Sequence, residues 1–188
     1  MINSKTIYIF LSIFCGCAFY STSGTIPIHI DSINITPIKN ESTEFLIADL
    51  LSESLSNQIL SENILKLTNQ QSANSQLDIT IKSVKEIPYT YVLDDIDKEY
   101  VDEWKLKINI EIKWYDLIND ELLVNKQISS FATYGSGVDI NNDGLDNDND
   151  GLIDSNDSDE YGPPRESAIR ISVLKATELL INEITSTW

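Results

Sequence analysis

The chain has 188 residues, 41% of them apolar, enough for one domain that buries roughly 70% of its unfolded surface. Thirteen Lys plus Arg stand against 30 Asp plus Glu, a formal net charge of −17. That balance excludes a phosphate-tracking nucleic-acid binder and attraction to anionic lipid through protein charge alone. One His and two Cys are too few for a zinc cluster, and any His-based triad would have to use His29.

Residues 1–16 read as a secretory leader. Lys5 and the amino terminus are its positive region, and Ile7 to Phe14 is its apolar run, well short of the ~20 residues of a membrane span. The run ends Phe14-Cys15-Gly16-Cys17, which resembles a bacterial lipobox. The small Gly16 sits where a peptidase cleaves ahead of a lipidated cysteine, so Cys17 is the expected acylation site and Cys15 leaves with the leader. Residues 17–24 form a short tether, and 25–188 form the domain.

Thr25 to Ile38 alternates polar and apolar residues, with a shift near Asp31-Ser32, and reads as a strand carrying a bulge. Ser42 or Thr43 is the expected N-cap of a helix with Glu44 in its first turn. Its apolar stripe is Ile47, Leu51, Leu55 and Ile59, joined by Leu50 and Leu60, and Asn63 stops it. Leu65 to Leu67 is a short strand. Leu77, Ile79 and Ile81 begin a half-buried strand that runs on toward Tyr91, and Asp94 to Asp102 reads as an acidic turn.

The clearest strand follows. Trp104, Leu106, Ile108, Ile110, Ile112 and Trp114 face one way, and Lys105, Lys107, Asn109, Glu111 and Lys113 face the other. Asn119-Asp120 marks a hairpin and Leu122 to Tyr134 the return strand. Pro163-Pro164 opens a last helix whose face is Ile169, Val173, Ala176, Leu180 and Ile184. The order strand, helix, strands, helix predicts an α+β two-layer sandwich. It would hold a mainly antiparallel four-stranded sheet with both helices on one face.

In order and in residues the chain resembles the LptE-like family of lipopolysaccharide-assembly lipoproteins. The resemblance rests on Gly16-Cys17-Ala18-Phe19-Tyr20-Ser21 and on the first strand ending Thr36-Pro37-Ile38-Lys39-Asn40-Glu41-Ser42. It continues through the hairpin from Trp104 and the closing helix, and leaves out residues 139–162. It implies a lipid-anchored protein on the periplasmic face of the outer membrane, with acyl chains such as palmitate on Cys17. Its implied partners are lipopolysaccharide and the β-barrel translocon that inserts it, with no catalytic residues. The polar-face lysines Lys105, Lys107 and Lys113 are candidates for lipid A phosphates, against the plainer reading of a solvated sheet face.

Residues 139–160 carry nine acidic residues and no basic one. Two phrases of the form Asp-x-Asn/Asp-x-Asp-Gly sit seven residues apart. The first uses Asp139, Asn141, Asp143 and Gly144; the second uses Asp146, Asp148, Asp150 and Gly151. Ca²⁺ takes six to eight oxygens, and alternate side chains converge on one ion if the chain turns sharply at the glycine. Leu145 and Leu152 offer backbone carbonyls, Asp154 adds an oxygen, and the twelfth positions fall on Asp150 and Asp157. The spacing leaves no room for EF-hand helices. It resembles thrombospondin type 3 calcium repeats, in which Asp146 and Asp150 would be shared.

Two functions compete: an outer-membrane assembly factor for lipopolysaccharide, and a lipid-anchored, calcium-dependent binding or adhesion module. An enzyme is not expected, because no nucleophile–base pair is visible.

Overall fold

The structure is a computed structural model and describes residues 26–93, 98–135, 144–146, 150–157 and 163–186. The leader, the tether and Cys17 lie outside the described residues.

Among the described residues six strands form one sheet: β1 (Ser32–Ile35), β2 (Lys39–Asn40), β3 (Lys66–Leu67), β4 (Ser75–Leu93), β5 (Glu99–Asp116) and β6 (Glu121–Gly135). Two helices, α1 (Leu46–Ser61) and α2 (Pro164–Ser186), cover one face. The α+β sandwich stands, but the sheet is mixed rather than a mainly antiparallel set of four strands. Its order is β3-β1-β4-β5-β6, with β2 added on β4. β1 runs parallel to both β3 and β4, and β2 runs parallel to β4. The reason is connection length. α1 carries the chain back before β3 begins, which restores the direction of β1, whereas the tight turn after β5 reverses direction.

The first strand is much shorter than its alternation suggests. Ile28 and His29 form a turn, closed by the Ile30 N–H donating to the Pro27 carbonyl at 2.8 Å. Pro27 has no N–H to give a ladder, so pairing starts only at Ser32. The segment expected as an acidic turn is partly strand, since β5 begins at Glu99 and pairs with Leu93; residues 94–97 lie outside the described residues.

β5 supplies the frame. Leu106, Ile108, Ile110, Ile112 and Trp114 are all buried, while the alternate residues Lys105 to Lys113 are half-buried on the opposite face. Leu77, Ile79 and Ile81 of β4 lie against them in register. From the helices, Ile47, Leu51, Leu55 and Ile59 meet Ile169, Val173, Ala176, Leu180 and Ile184 over that floor. Leu60, expected to join the stripe, is exposed. α2 buries more than one stripe, because it packs on β6 and on α1. Ser130 Oγ donates to the Ser172 carbonyl at 2.7 Å on one side, and Thr177 Oγ1 meets Ser54 Oγ at 3.0 Å on the other.

The ends of α1 divide the sequence reading. Neither Ser42 nor Thr43 caps it. Ser42 is held by Asn40, whose Oδ1 accepts the Ser42 N–H at 2.9 Å, and the helix begins beyond Phe45. Such local side-chain bonds compete with the first helical turn. Asn63 does stop the helix, with φ at 52°. The Ile64 N–H donates to the Ile59 carbonyl and the Asn63 N–H to the Leu60 carbonyl, each at 3.3 Å, which together form a Schellman motif. We expect Asn63→Gly to leave stability unchanged or slightly raised. Asn63→Ala should cost about 1 kcal/mol, because the short polar Asn side chain tolerates the left-handed region and a bare methyl does not. Urea unfolding of the two variants compares them directly.

Candidate functional site

The helix-free face of the sheet carries the lysines. In register across the strands, Lys105 lies between Ile87 and Thr133, and Lys107 between Lys85 and Phe131. The Lys105 ammonium sits 3.6 Å from the Phe131 ring centre and 5.3 Å from that of Tyr89, within cation–π range. Lys85 and Lys107 face each other across the ladder and make no ion pair among the described residues. Directly opposed like charges are unfavourable unless an anion shares them. Lys113 stands apart. Its Nζ is 3.6 Å from Glu111 Oε1, and six residues of strand, about 20 Å, separate it from Lys107. The structure therefore brings Lys105 and Lys107 together, adds Lys85 to them, and leaves Lys113 out. Lys85 escapes a sequence reading because a register shift in β4 between Ile81 and Ser83 changes its alternation.

Beyond this patch β4 and β5 run on as a two-stranded arm, with no β6 residue paired past Glu103. Tyr89, Tyr91, Leu93 and Tyr100 are exposed along it. At the base of the arm Glu86 is shared. Tyr134 donates its hydroxyl to Glu86, and Arg165 Nε donates to Glu86 Oε1 at 2.8 Å, while Arg165 Nη2 reaches Glu44 Oε1 at 2.8 Å. Burial pushes the Tyr134 hydroxyl up, and its bond to Glu86 adds to this, to about 12. Tyr134 precedes the acidic insert and Arg165 follows it, so one carboxylate pins both ends of that excursion.

Within the insert, Asp139, Asn141, Asp143 and Asp148 lie outside the described residues. Of the others, Asp146 accepts the amides of Asp150, at 3.2 Å, and Gly151, at 2.9 Å. Asp150 accepts the Leu152 amide at 2.7 Å, and Asp154 that of Gly144 at 3.0 Å. Gly144 and Gly151 both have positive φ, 72° and 94°, as a sharp turn at each sixth position requires. Leu145 and Leu152 are exposed, and Asp157 is buried. No three acidic, His or Cys side chains converge to hold a metal among the described residues. The donor set is nonetheless all oxygen, the chemistry a hard cation takes, and the amides of Asp150 and Gly151 turn toward Asp146.

His29 is paired across the fold. Its Nε2 lies 2.6 Å from Asp116 Oδ2 and 3.1 Å from Asn119 Nδ2. Asp116 is almost wholly buried. Burial raises its pKa, but the bonds from His29, from the amides of Ile118 and Asn119 and from the Asn119 side chain outweigh burial and hold it at about 2. No sequence pattern links residues 87 positions apart. Between α1 and α2 runs a groove of about 460 Å³, lined by Leu50, Ser54, Asn57, Arg170 and Val173 among others. Neither the candidate lysines nor any described residue of the acidic insert lines it.

No protein-family model matches the chain, and no curated protein matches it. Among solved structures it is similar to the protein CT253 from Chlamydia trachomatis, with a TM-score of 0.51, 11% identity, and 82% of this chain and 98% of that one covered. It is also similar to lipoprotein B from Nitrosomonas europaea, with a TM-score of 0.50, 12% identity, and 86% and 84% covered. A third, rare lipoprotein B from Shewanella oneidensis, has a TM-score of 0.45, 14% identity, and 78% and 92% covered. At such identities the first two likenesses show a shared fold.

Proposed function

We propose that the chain is a lipid-anchored lipoprotein of the outer membrane, on its periplasmic face, which assists lipopolysaccharide assembly as the partner of a β-barrel translocon. The observation that carries this is the fold shared with lipoprotein B from Nitrosomonas europaea, joined to the Gly16-Cys17 cleavage pattern. The LptE-like opening at Gly16 to Ser21 supports the finer role. Among the described residues no helix is long and apolar enough to cross a membrane; in this reading attachment is through acylated Cys17. Its work is binding rather than catalysis. Lys85, Lys105 and Lys107, beside Phe131 and Tyr89, suit an anionic amphiphile such as lipid A, with phosphates on the ammoniums and acyl carbon on the rings. Affinity purification from detergent-solubilised outer membrane tests the role: a large β-barrel protein should co-purify. Its absence, with the protein intact, would overturn the reading.

A second reading is favoured by the amides of Asp150 and Gly151 that Asp146 accepts. In it the insert binds Ca²⁺ and meets a glycan or another cell directly. Under either reading the ion's holders are Asp139, Asn141, Asp143 and the Leu145 carbonyl, then Asp146, Asp148, Asp150, the Leu152 carbonyl, Asp154 and Asp157. Affinity should be modest, about 10⁻⁴ to 10⁻³ M, because Asp at the twelfth position reaches less far than Glu. Asp150→Ala should weaken both sites and Asp139→Ala only the first, as calcium titration calorimetry on the full chain reads out. No heat at millimolar calcium would make the segment a solvated acidic linker.

A further inference from the structure

We infer that the end of the sheet bearing the β5–β6 turn is a membrane-contact surface, which lies on the bilayer through Ile28, Leu117, Ile118 and Leu122. All four are large aliphatic side chains left exposed, Ile28 wholly so and Ile118 at 58%. A four-residue turn, Leu117 to Asp120, ordinarily exposes polar residues, whereas this one presents two aliphatic side chains in succession.

Their presentation is fixed by the most heavily bonded carboxylate described above. Asp116 accepts the Ile118 amide at 2.8 Å and the Asn119 amide at 3.2 Å, and it meets His29, the neighbour of Ile28, at 2.6 Å. The Leu117 N–H donates to the Asn74 carbonyl at 2.8 Å, and Asn74 Nδ2 donates to the His29 carbonyl at 3.0 Å. Ile28 and the turn are thus clamped to the same end of the molecule by groups from three separate segments. An apolar cluster held out by an ordered polar scaffold is a mark of an interaction surface.

The chain outside the structure identifies the occupant. Between Cys17 and Ile26 lie eight residues, which span at most about 30 Å in any conformation, and they enter the domain beside Ile28. The arm is at the other end. β4 is 19 residues long, about 60 Å, so the leash draws the Ile118 end and not the arm toward the membrane. Asp120 and Glu121 border the cluster, and none of residues 117–122 is basic. The surface therefore suits zwitterionic headgroups with acyl carbon beneath them, and not an anionic lipid.

The choice of a bilayer as occupant rests on the reading of Cys17 as the anchor, and the experiment separates the two. The full chain carrying Cys15→Ser and Cys17→Ser receives one new cysteine, Ile118→Cys or Leu93→Cys, labelled with an environment-sensitive fluorophore. Each is mixed with phosphatidylcholine vesicles containing a nitroxide-bearing lipid. The label at 118 should shift to the blue and lose emission to the quencher, and the label at 93 should do neither. A water-like label at 118 in the presence of vesicles overturns the proposal. So does a blue shift that the lipid quencher does not touch, which would mean a protein contact, and so does immersion that requires phosphatidylglycerol. The mass of the native amino-terminal peptide tests acylation independently. Lipid-free Cys17 with an immersed 118 label would end the anchor reading alone, and acylated Cys17 with a water-like label would end this one alone.

Discussion

Ile110→Ala should cost about 2 to 5 kcal/mol of folding stability, while Lys107→Ala, three residues away on the same strand, should stay within about 0.5 kcal/mol. Ile110 is 1% exposed and sits in register between Ile81 of β4 and Ile128 of β6. Truncation removes three buried carbons at the centre of the sheet and leaves a cavity. β-strands on both sides fix the backbone, so the site cannot collapse to fill it. Lys107 keeps its ammonium near water and faces Lys85, so its removal takes away little that is favourable. Urea unfolding of both variants tests the facing of β5. Equal losses at the two positions would mean that the strand presents the wrong face to the helices.

Asp116→Ala should be the most damaging polar change, at about 3 kcal/mol, because hydrogen bonds to a buried charged group are worth about 1.5 to 3 kcal/mol and several are lost together. The amides of Ile118 and Asn119, the Asn119 side chain and His29 would all lose their acceptor. The same group sets an acid limit. Its carboxyl titrates at about 2 in the fold against an ordinary 3.8. A depressed folded value contributes stability that is fully present above the unfolded pKa and is lost as pH falls through the folded one. Stability should therefore decline as pH drops from about 4 to about 2, and that part of the decline should vanish in Asp116→Ala. Denaturant midpoints at pH 7 and pH 3 for both proteins measure it. An acid response unchanged by the substitution would place the sensitivity in other carboxylates.

Loss of Asp116 would also release Ile28 and the Leu117–Asp120 turn from one another. That makes Asp116→Ala a poor probe of vesicle contact, and it is why labels at exposed positions serve better.

Much of the fold was legible because its signals are local. The two-residue alternation from Leu106 to Trp114 depends only on which side chains avoid water, and so predicts the buried face without knowledge of any neighbour. The stripes of α1 and α2, the stop at Asn63 and the start at Pro164 follow from helical period and backbone preference in the same way. Local preferences compete at two places. Asn40 took Ser42 from the cap of α1, and the turn after Pro27 delayed to Ser32 a strand that alternation alone would have begun at Thr25.

What the sequence could not determine is who pairs with whom. The parallel seat of β1 between β3 and β4 depends on the path α1 takes, and the opposition of Lys85 and Lys107 on a register shift in β4. Only the folded chain sets Tyr134 and Arg165 on one Glu86, or His29 on Asp116. A lipobox-like opening, an oxygen-rich acidic insert, two amphipathic helices and the faces of the main strands are written in short stretches of chain. The tertiary structure alone decided the mixed sheet, the lysine patch beside the arm and the clamped apolar end. The first set are properties of short windows, fixed by periodicity and composition, whereas the second need residues far apart in the chain to share one place.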